Sequence, residues 1–585
     1  MDAQIHNQIV SFIWGIADDC LRDIYVRGKY RDVILPLTVI RRLDAVLEDT
    51  KPAVLDMKVK LDAASVSNQT EALCNVAGQS FCNSSPFCLR DLTSRASQQK
   101  LKTDFIAYLD GFSPNVQEIL DKFKFRNQID TMIDADILGA VIEKFVSPTI
   151  NLSPIDILDD QGGVRIPALD NHTMGVIFEE LIRRFNEENN EEAGEHFTPR
   201  DVVELMADLI FLPIADQIKD STYSVYDGAS GTGGMLTVSQ DRLLSLAEKS
   251  GRDVSIHLFG QEINPETYAI TKADMLLKGE GAEADNVAFG STLSSDGFPT
   301  RQFDFMLSNP PYGKSWKIDA DRLGGKKGIQ DTRFVTTFDS NPDFSMIPRT
   351  SDGQLLFLLN NVSKMKETTE LGSRIAEVHN GSSLFTGDAG QGESNARRYL
   401  IERDLVEAII ALPENMFYNT GIGTFIWVLS NRKDAKRRGK IQLIDATALK
   451  SPLRKNLGKK NCEFTADIRT QIMALFLNFE ENEYSKIFPN SAFGYYKVTV
   501  VNGSDKDTEQ IPLDYPGGID AFIAKEVLPY TPKAKVDPKK TQIGYEISFT
   551  KHFYKPAQLR DLAEIAADIR ALEQETEGLL EEVLS

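Results

Sequence analysis

Four successive residues, Asn309, Pro310, Pro311 and Tyr312, carry the most specific chemistry in this 585-residue sequence. Two prolines in a row stiffen a turn and leave the Asn309 side-chain oxygen and the Pro310 carbonyl as fixed acceptors. Two aligned acceptors suit an NH₂ group. A planar amine is a poor nucleophile because its lone pair is delocalised. Hydrogen bonds from both of its protons to fixed acceptors draw the nitrogen towards tetrahedral geometry and stabilise the positive charge that develops in the transition state, with no general base required. Tyr312 adds a flat face on which a flipped nucleobase can stack. Read alone, the tetrapeptide also fits an ordinary proline-rich turn.

Upstream, DGASGTGG at 227–234 supplies Asp227, Ser230, Gly231, Thr232 and Gly233 between a strand candidate and a helical run. Glycines there let backbone N–H groups approach a ligand, and the following helix N-terminus favours an anionic group such as a carboxylate. No Gly-Lys-Ser/Thr follows and G-x-G-x-x-G is not matched, so the loop predicts a nucleotide-type cofactor without phosphate. Glu262 lies 35 residues beyond Asp227 at the end of the next strand candidate, where a carboxylate can accept both hydroxyls of a ribose. A third segment, GEHFTPRDVVELM at 194–206, has a sufficient local explanation as a helix start: Thr198 capping, Pro199 at the first helical position, Asp201 completing a capping-box-like turn and Phe197 stapled onto Val202.

The elements that must hold these residues read as an α/β fold. Strand candidates at 223–228, 256–262, 286–290, 303–309, 374–380, 405–413 and 424–431 alternate with helical runs, which predicts a seven-stranded, mostly parallel open sheet with ligands beyond its carboxyl edge. Residues 1–165 read as helical: Ile5, Ile9, Phe12, Ile16, Cys20 and Ile24 recur at helical spacing, and Pro36 marks a kink or a helix start near Leu35. The polar stretch 64–99 gives no period. Residues 313–353, rich in Gly, Asp, Ser and Lys, read as a mobile loop with either a lid role or none. The densest positive run, NRKDAKRRGK at 431–440, fits either a solvated hairpin or a contact with nucleic acid or a partner. At the C-terminal end Leu562, Ile565, Ile569, Leu572, Thr576, Leu579 and Val583 follow a 3,4 spacing, the seam of a coiled coil or bundle, within a segment of eight acidic and two basic residues that wants a basic partner or packs on its own domain.

Composition narrows the class further. With 42% hydrophobic and 26% charged residues the chain is average for a globular protein, and no stretch approaches the apolar length needed to span a bilayer. The first twenty residues lack a basic secretory start, and five cysteines fit a reducing compartment, so the expected location is cytoplasmic. Cys74, Cys82 and Cys88 match no zinc spacing, and no metal site is expected. A net charge of −21 repels nucleic acid if evenly spread, so any DNA contact must be local or shared with a partner.

Together with YRDVILPLTVIRRL, MGVIFEELIRRF, GQEINPET, DGQLLFL, LFTGDAGQGESNARR and IALPENMFYNTGIGTFIWVLSN, these motifs resemble, in this order, the modification subunits of type I restriction-modification systems, which are adenine-N6 DNA methyltransferases. The resemblance implies an S-adenosylmethionine-dependent methyltransferase sheet, with the cofactor held by Glu195, His196, Phe197, Thr198, Pro199, Arg200, Asp227, the Ser230–Gly233 loop and Glu262, and catalysis by Asn309 to Tyr312. It implies a helical N-terminal domain at 1–165, a methyltransferase domain at 166–480 and an assembly region at 481–585 ending in the heptad helix. Implied partners are a specificity subunit bound by two modification subunits, a restriction subunit, and double-stranded DNA engaged through the complex. Three departures stand out. Gly228 replaces a usual proline, Ser291 replaces a usual aspartate expected to contact the cofactor adenine, and Tyr312 replaces a more common phenylalanine. The competing readings are a stand-alone adenine methyltransferase, a cofactor-binding scaffold of a restriction complex, and a protein glutamine methyltransferase, which is much shorter and lacks the FTP segment and the heptads.

Overall fold

The computed structural model describes residues 3–94, 97–188, 198–277, 281–325, 328–418, 420–554 and 561–576. Contacts divide the chain into two units, Met1–Ile547 and Ser548–Ser585.

In the first unit, α1 (Asn171–Glu188) and α2 (Arg200–Phe211) lead into the sheet. The alternation then runs β1 (Ser221–Asp227), α3 (Gly234–Lys249), β2 (Val254–Glu262), α4 (Pro265–Leu277), β3 (Val287–Phe289) and β4 (Phe305–Ser308). After these come α5 (Gln354–Ser363), β5 (Arg374–Asn380), α6 (Gly392–Glu402), β6 (Val406–Ala411), β7 (Thr424–Ser430), β8 (Lys440–Asp445) and β9 (Ser485–Pro489). All seven expected strands lie in one nine-stranded sheet of order β9-β8-β6-β7-β5-β4-β1-β2-β3, extended by β8 and β9. The pairs β3-β2, β2-β1, β1-β4, β4-β5 and β6-β8 are parallel. Only β7, antiparallel to both β5 and β6, and the edge strand β9 break the common direction. Strands β4 and β6 are buried along their whole length, as apolar runs covered on both faces should be.

The N-terminal helices do not stand apart. A single apolar core runs from Ile9 through Val39, Phe105 and Ile142 to Val225, Ile410 and Phe476. Pro36 neither starts nor ends a helix, because it sits inside Arg31–Leu47. Val33 N and Ile34 N already donate to the Tyr30 carbonyl at 3.1 and 2.9 Å, so the turn is nucleated before the proline is reached. Within the aperiodic 64–99 stretch, Thr70–Ala77 forms a short helix closed by Gly78 in the left-handed region. Beyond β9, strands Gly494–Asn502, Asp505–Pro512 and Lys535–Tyr545 form a three-stranded antiparallel sheet around Val498, Val500 and Ile511.

Residues 313–353 depart most from expectation, since they are a packed excursion and not a loose loop. A helix at Lys317–Arg322 and a hairpin pairing Val335–Phe338 with Asn341–Ser345 enclose buried Trp316, Ala320, Phe334, Phe344 and Met346. Trp316 Nε1 donates to the Arg349 carbonyl at 2.9 Å. Arg333 donates to Asp331 and to the carbonyls of Thr292 and Leu293, both at 2.8 Å, and so fastens the excursion to the segment after β3. Much of the polar composition faces solvent, while Arg333, Asp331 and the Trp316 indole make the bonds that order the segment. In the second unit α7 (Leu562–Thr576) exposes Leu562, Ile565, Ile569 and Leu572, while Leu579 and Val583 lie outside the described residues. No helix among the described residues is long and apolar enough to cross a membrane.

Removing the indole at Trp316 should open the excursion without unfolding the sheet, because truncating a buried aromatic costs about 3–5 kcal/mol at its own site. Limited trypsin digestion of Trp316→Ala is expected to cut within 313–353 far faster than in the parent protein, with far-ultraviolet circular dichroism nearly unchanged. Equal cleavage rates would return the segment to the status of a loop.

Candidate active site

The carboxyl ends of β1, β2 and β4 meet over two buried carboxylates. Asp227, the last residue of β1, accepts hydrogen bonds from Ser308 Oγ at 2.6 Å and Ala229 N at 3.0 Å. Glu262, the last residue of β2, accepts from Gly231 N at 2.8 Å through one oxygen and from Asn264 N at 2.7 Å through the other. Burial is the main influence on both, and it pushes each carboxyl up to about 7 against the hydrogen bonds that favour the charged form. Between them the glycine loop turns tightly, with Gly231 and Gly233 in the left-handed region. A side chain on Gly233 would also press on Thr271, whose hydroxyl donates to the Gly231 carbonyl at 2.7 Å. Gly233 N closes onto the Ser230 carbonyl at 2.7 Å and brings the chain to the N-terminus of α3.

Beside this loop, Asn309 follows β4 directly. Its Nδ2 donates to Thr198 Oγ1 at 2.9 Å, so the amide is turned with Oδ1 pointing away from Thr198. That Oδ1 is buried and has no hydrogen-bond partner. Such an orphaned acceptor is costly in a folded protein unless a ligand or an ordered water completes it, and this one opens onto a cavity. Pro310 is buried, and Pro311 and Tyr312 are half-buried, the latter against the main core. Asp352 secures the turn by accepting from Gly313 N at 3.2 Å and from Gln354 and Ser382.

Thr198 therefore does something other than cap a helix. Pro199 is the N-cap of α2, with no side-chain capping bond. Asp201, expected to complete a capping box, instead accepts from Phe464 N at 2.7 Å and from Lys460 Nζ. The tertiary partners, Asn309 for the hydroxyl and Lys460 for the carboxylate, outcompete the local ones. Arg200 pairs with Glu179 at 3.2 Å, while its Nε and Nη1 are buried with no partner. Glu195, His196 and Phe197 lie outside the described residues.

Two adjoining cavities open here. The larger, about 240 Å³, has Glu262, Ser291 and Asp319 as polar lining and Ile263, Leu293, Pro311, Trp316 and Phe357 as apolar walls. The smaller, about 30 Å³, is lined by Thr198, Arg200, Glu179, Asp227, Ser230 and Thr232. Ala229 and Asn309 belong to both, so Asn309 stands at the junction. Sequence reading brought together Thr198, Arg200, Asp227, the glycine loop, Glu262 and Asn309. It missed Trp316, Phe357 and Asp319. A lone tryptophan four residues past Tyr312 in a polar segment was the available signal for the first, and nothing marked the others. Ser291 uses its hydroxyl to accept from Leu293 N, and Asp319, which accepts from Ser294 Oγ at 2.5 Å, brings a carboxylate to that side of the cavity. Beneath the site, buried Glu377 contacts His379 at 2.8 Å and accepts from Asn361 at 2.7 Å. Burial raises Glu377 and pushes His379 down to about 3, so it disfavours the charged form of both, and Glu377 lies in register beside Ser308.

The geometry agrees with what the chain resembles. Residues 169–492, over half of the chain, match the family model described as N-6 DNA Methylase, and residues 9–145 match the HsdM N-terminal domain. The type I restriction enzyme MjaIX methylase subunit of Methanocaldococcus jannaschii is 26% identical over 330 residues, covering 56% of this chain and 52% of that protein. The MpnII methylase subunit of Mycoplasma pneumoniae is 29% identical over 274 residues, 45% of each chain. The chain thus spans about half the length of the curated relatives it matches. In fold, the solved type I restriction-modification methyltransferase subunit from Streptococcus thermophilus covers 83% of this chain and 96% of its own, with a TM-score of 0.58 at 21% identity. The ordered glycine loop, the Asn309 turn and the matched span together establish that this chain belongs to the N-6 DNA methylase family.

Proposed function

We propose that the chain is the modification subunit of a type I restriction-modification enzyme, transferring a methyl group from S-adenosylmethionine to adenine N6 in DNA at a site selected by a separate specificity subunit. The observation that carries this reading is the orphaned Oδ1 of Asn309 at the junction of the two cavities, with the amide oriented by Thr198. The residues present fit the cofactor. Glu262 keeps free lone pairs for ribose hydroxyls, and Trp316, Leu293 and Ile263 form apolar walls for a purine. Asp319 offers an acceptor for an exocyclic amine where Ser291 does not, and the uncommitted guanidinium nitrogens of Arg200 suit a carboxylate in the smaller cavity. S-adenosylmethionine, when bound, supplies an electrophilic methyl group on a sulfonium.

The chain's own residues do the rest. Asn309 Oδ1 accepts one proton of the target amine and the Pro310 carbonyl accepts the other, which concentrates electron density on nitrogen and stabilises the charge that forms as it attacks. Tyr312 stacks on the extruded base. Thr198 is a positioning residue, since it keeps the Asn309 amide from presenting its NH₂ to an amine that needs acceptors. With divisions at about 165 and 480, the C-terminal region 481–585 is the part that serves assembly. The acidic helix α7, with its exposed Leu562, Ile565 and Ile569, is the element best suited to join helices of the specificity subunit.

Three outcomes test this. In the assembled complex Asn309→Ala should abolish methyl transfer, and Thr198→Val should lower it by about 10–100-fold, both with cofactor affinity by calorimetry within a few fold. Asn309→Ala retaining a tenth of the activity would leave the cofactor-binding scaffold as the better reading. The second concerns pH. Ribose hydroxyls donate to the ionised Glu262 carboxyl, which burial holds near 7, so cofactor affinity should rise by up to about tenfold from pH 6 to pH 8 and then level off. Glu262→Gln should flatten that profile, and a flat profile in the parent protein removes Glu262 from the ribose site. Third, deleting residues 559–585 should leave cofactor binding near normal while co-purification with a specificity subunit is lost. Retained co-purification moves the assembly surface to the N-terminal helices.

A further inference from the structure

The chain is strongly acidic, yet a cluster of exposed positive charge stands on the side of the sheet that holds the site, where the sequence pattern did not mark it. The run 431–440, the densest in basic residues, joins β7 to β8 and so lies at the opposite edge of the sheet from Asn309, with Arg432, Lys436, Arg438 and Lys440 exposed there. Lys433 is buried against Asp404 at 2.6 Å, and Arg437 is buried against Glu407 at 3.4 Å. The next segment differs. Residues 446–462 contain five basic residues and no acidic one, in a chain of net charge −21. They form a hairpin that pairs Ser451–Leu457 with Lys460–Glu463. Lys450, Arg454, Lys455 and Lys459 are exposed, and none of the four makes an ion pair among the described residues.

The fifth, Lys460, is buried beside the hairpin's turn, where it reaches Asp201 at 3.2 Å and the Met416 carbonyl at 3.1 Å. Further bonds hold this turn end against the segment after β6 and the start of α2. Lys459 N donates to the Tyr418 carbonyl at 2.8 Å, Asn461 N to the Asn415 carbonyl at 3.1 Å, and Phe464 N to Asp201. Asp201 is in the first turn of α2, three residues from the Thr198 that orients Asn309. Strand β8 runs parallel to β6, and β6 shares the direction of β5, β4 and β1 through antiparallel β7. The hairpin, emerging after β8, therefore stands on the same edge of the sheet as Asp227 and Asn309.

We propose that this hairpin is a phosphate-gripping arm, contacting the backbone of the duplex DNA from which the target adenine is extruded. The inference rests on the reading of the chain as a DNA methyltransferase and adds the surface that holds its substrate. Solvated lysines and an arginine gain little from surface ion pairs within a protein, but against DNA each neutralised phosphate releases condensed counterions, a gain that needs no fixed geometry. A base swung out of a duplex brings its own phosphodiester to the rim of the site, which is where the hairpin is anchored. An acidic protein surface would satisfy the same charges but has no reason to lie beside Asn309.

The test uses the full chain and a 30-base-pair duplex, with binding followed by fluorescence anisotropy from low to physiological salt. The triple variant R454A/K455A/K459A should lose at least tenfold in affinity at low salt. Its dependence of log affinity on log salt should be shallower by about 2–3, at about 0.9 per phosphate contact. K539A/K540A, on the separate three-stranded sheet, should match the parent protein, and calorimetric affinity for the cofactor should be the same in all three. A triple variant with the parent's affinity and salt slope overturns the proposal, as does a parent protein that fails to bind the duplex at the lowest salt. Unchanged DNA binding with lost co-purification of a specificity subunit would also overturn it and assign the hairpin to a protein partner. If the salt slope falls as expected but the assembled parent complex methylates no DNA, the functional reading fails while the arm stands.

Discussion

Two carboxylates taken out of water tie together the ends of three neighbouring strands, and the rest of the site depends on them. Asp227 joins the end of β1 to Ser308 at the end of β4, and Glu262 joins the end of β2 to the glycine loop through Gly231 N. Neither is an ion pair. Each satisfies backbone or hydroxyl donors that would otherwise face a gap where three strands stop, and burial exacts its cost by raising both carboxyls to about 7. Because the loop's N–H groups are already committed, the cavity between them is formed in advance of any ligand. Asn309, one residue past Ser308, inherits its position from the same clasp.

Around the clasp, two packed additions complete the cavity. The excursion 313–353 brings Trp316 and Asp319 to one side, held by Arg333 and by the Trp316 indole bond to Arg349. On the other side α2, fixed by Asp201 to Lys460 and Phe464, carries Thr198 and Arg200 to the smaller cavity. Both work through contacts between residues far apart in sequence, and both replace local bonds that those residues are able to make.

This is also the line between what the sequence discloses and what it hides. The strands were legible because runs such as VEAIIA and FDFMLS are apolar on both faces, a pattern that survives any tertiary context. The glycine loop and Asn309 were legible because each has a backbone reason to be where it is. Thr198 misled, since Thr-Pro-x-Asp is a complete helix start on paper and only the presence of Asn309 and Lys460 in space redirects its hydroxyl and carboxylate. The 313–353 segment misled in the opposite sense. Its polar residues signal exposure when counted, whereas in the fold Arg333, Asp331 and Asp319 bond inward. Asp319 could not be found by any pattern, because its role arises from where a six-residue helix is laid down. The basic run at 431–440 shows that charge density along a chain does not say which face carries the charge, since Lys433 and Arg437 are buried in pairs and the four exposed basic residues lie at the edge of the sheet away from Asn309.

The core that extends without a break from Ile9 to Phe476 also governs the order in which the molecule can come into being. A ribosome adds about 5–20 residues per second, so the interval between the first and last members of that core is on the order of tens of seconds. The N-terminal helices wait, with faces meant for α1 and α4 exposed to water, until residue 277 has been added. The strand order sharpens the delay: β7 must slot between β5 and the already synthesised β6, and β8 cannot be sealed until β9 arrives from residue 485 onward. The clasp at Asp227 and Glu262, built from β1, β2 and β4 within the first 310 residues, is positioned to close before β9 arrives.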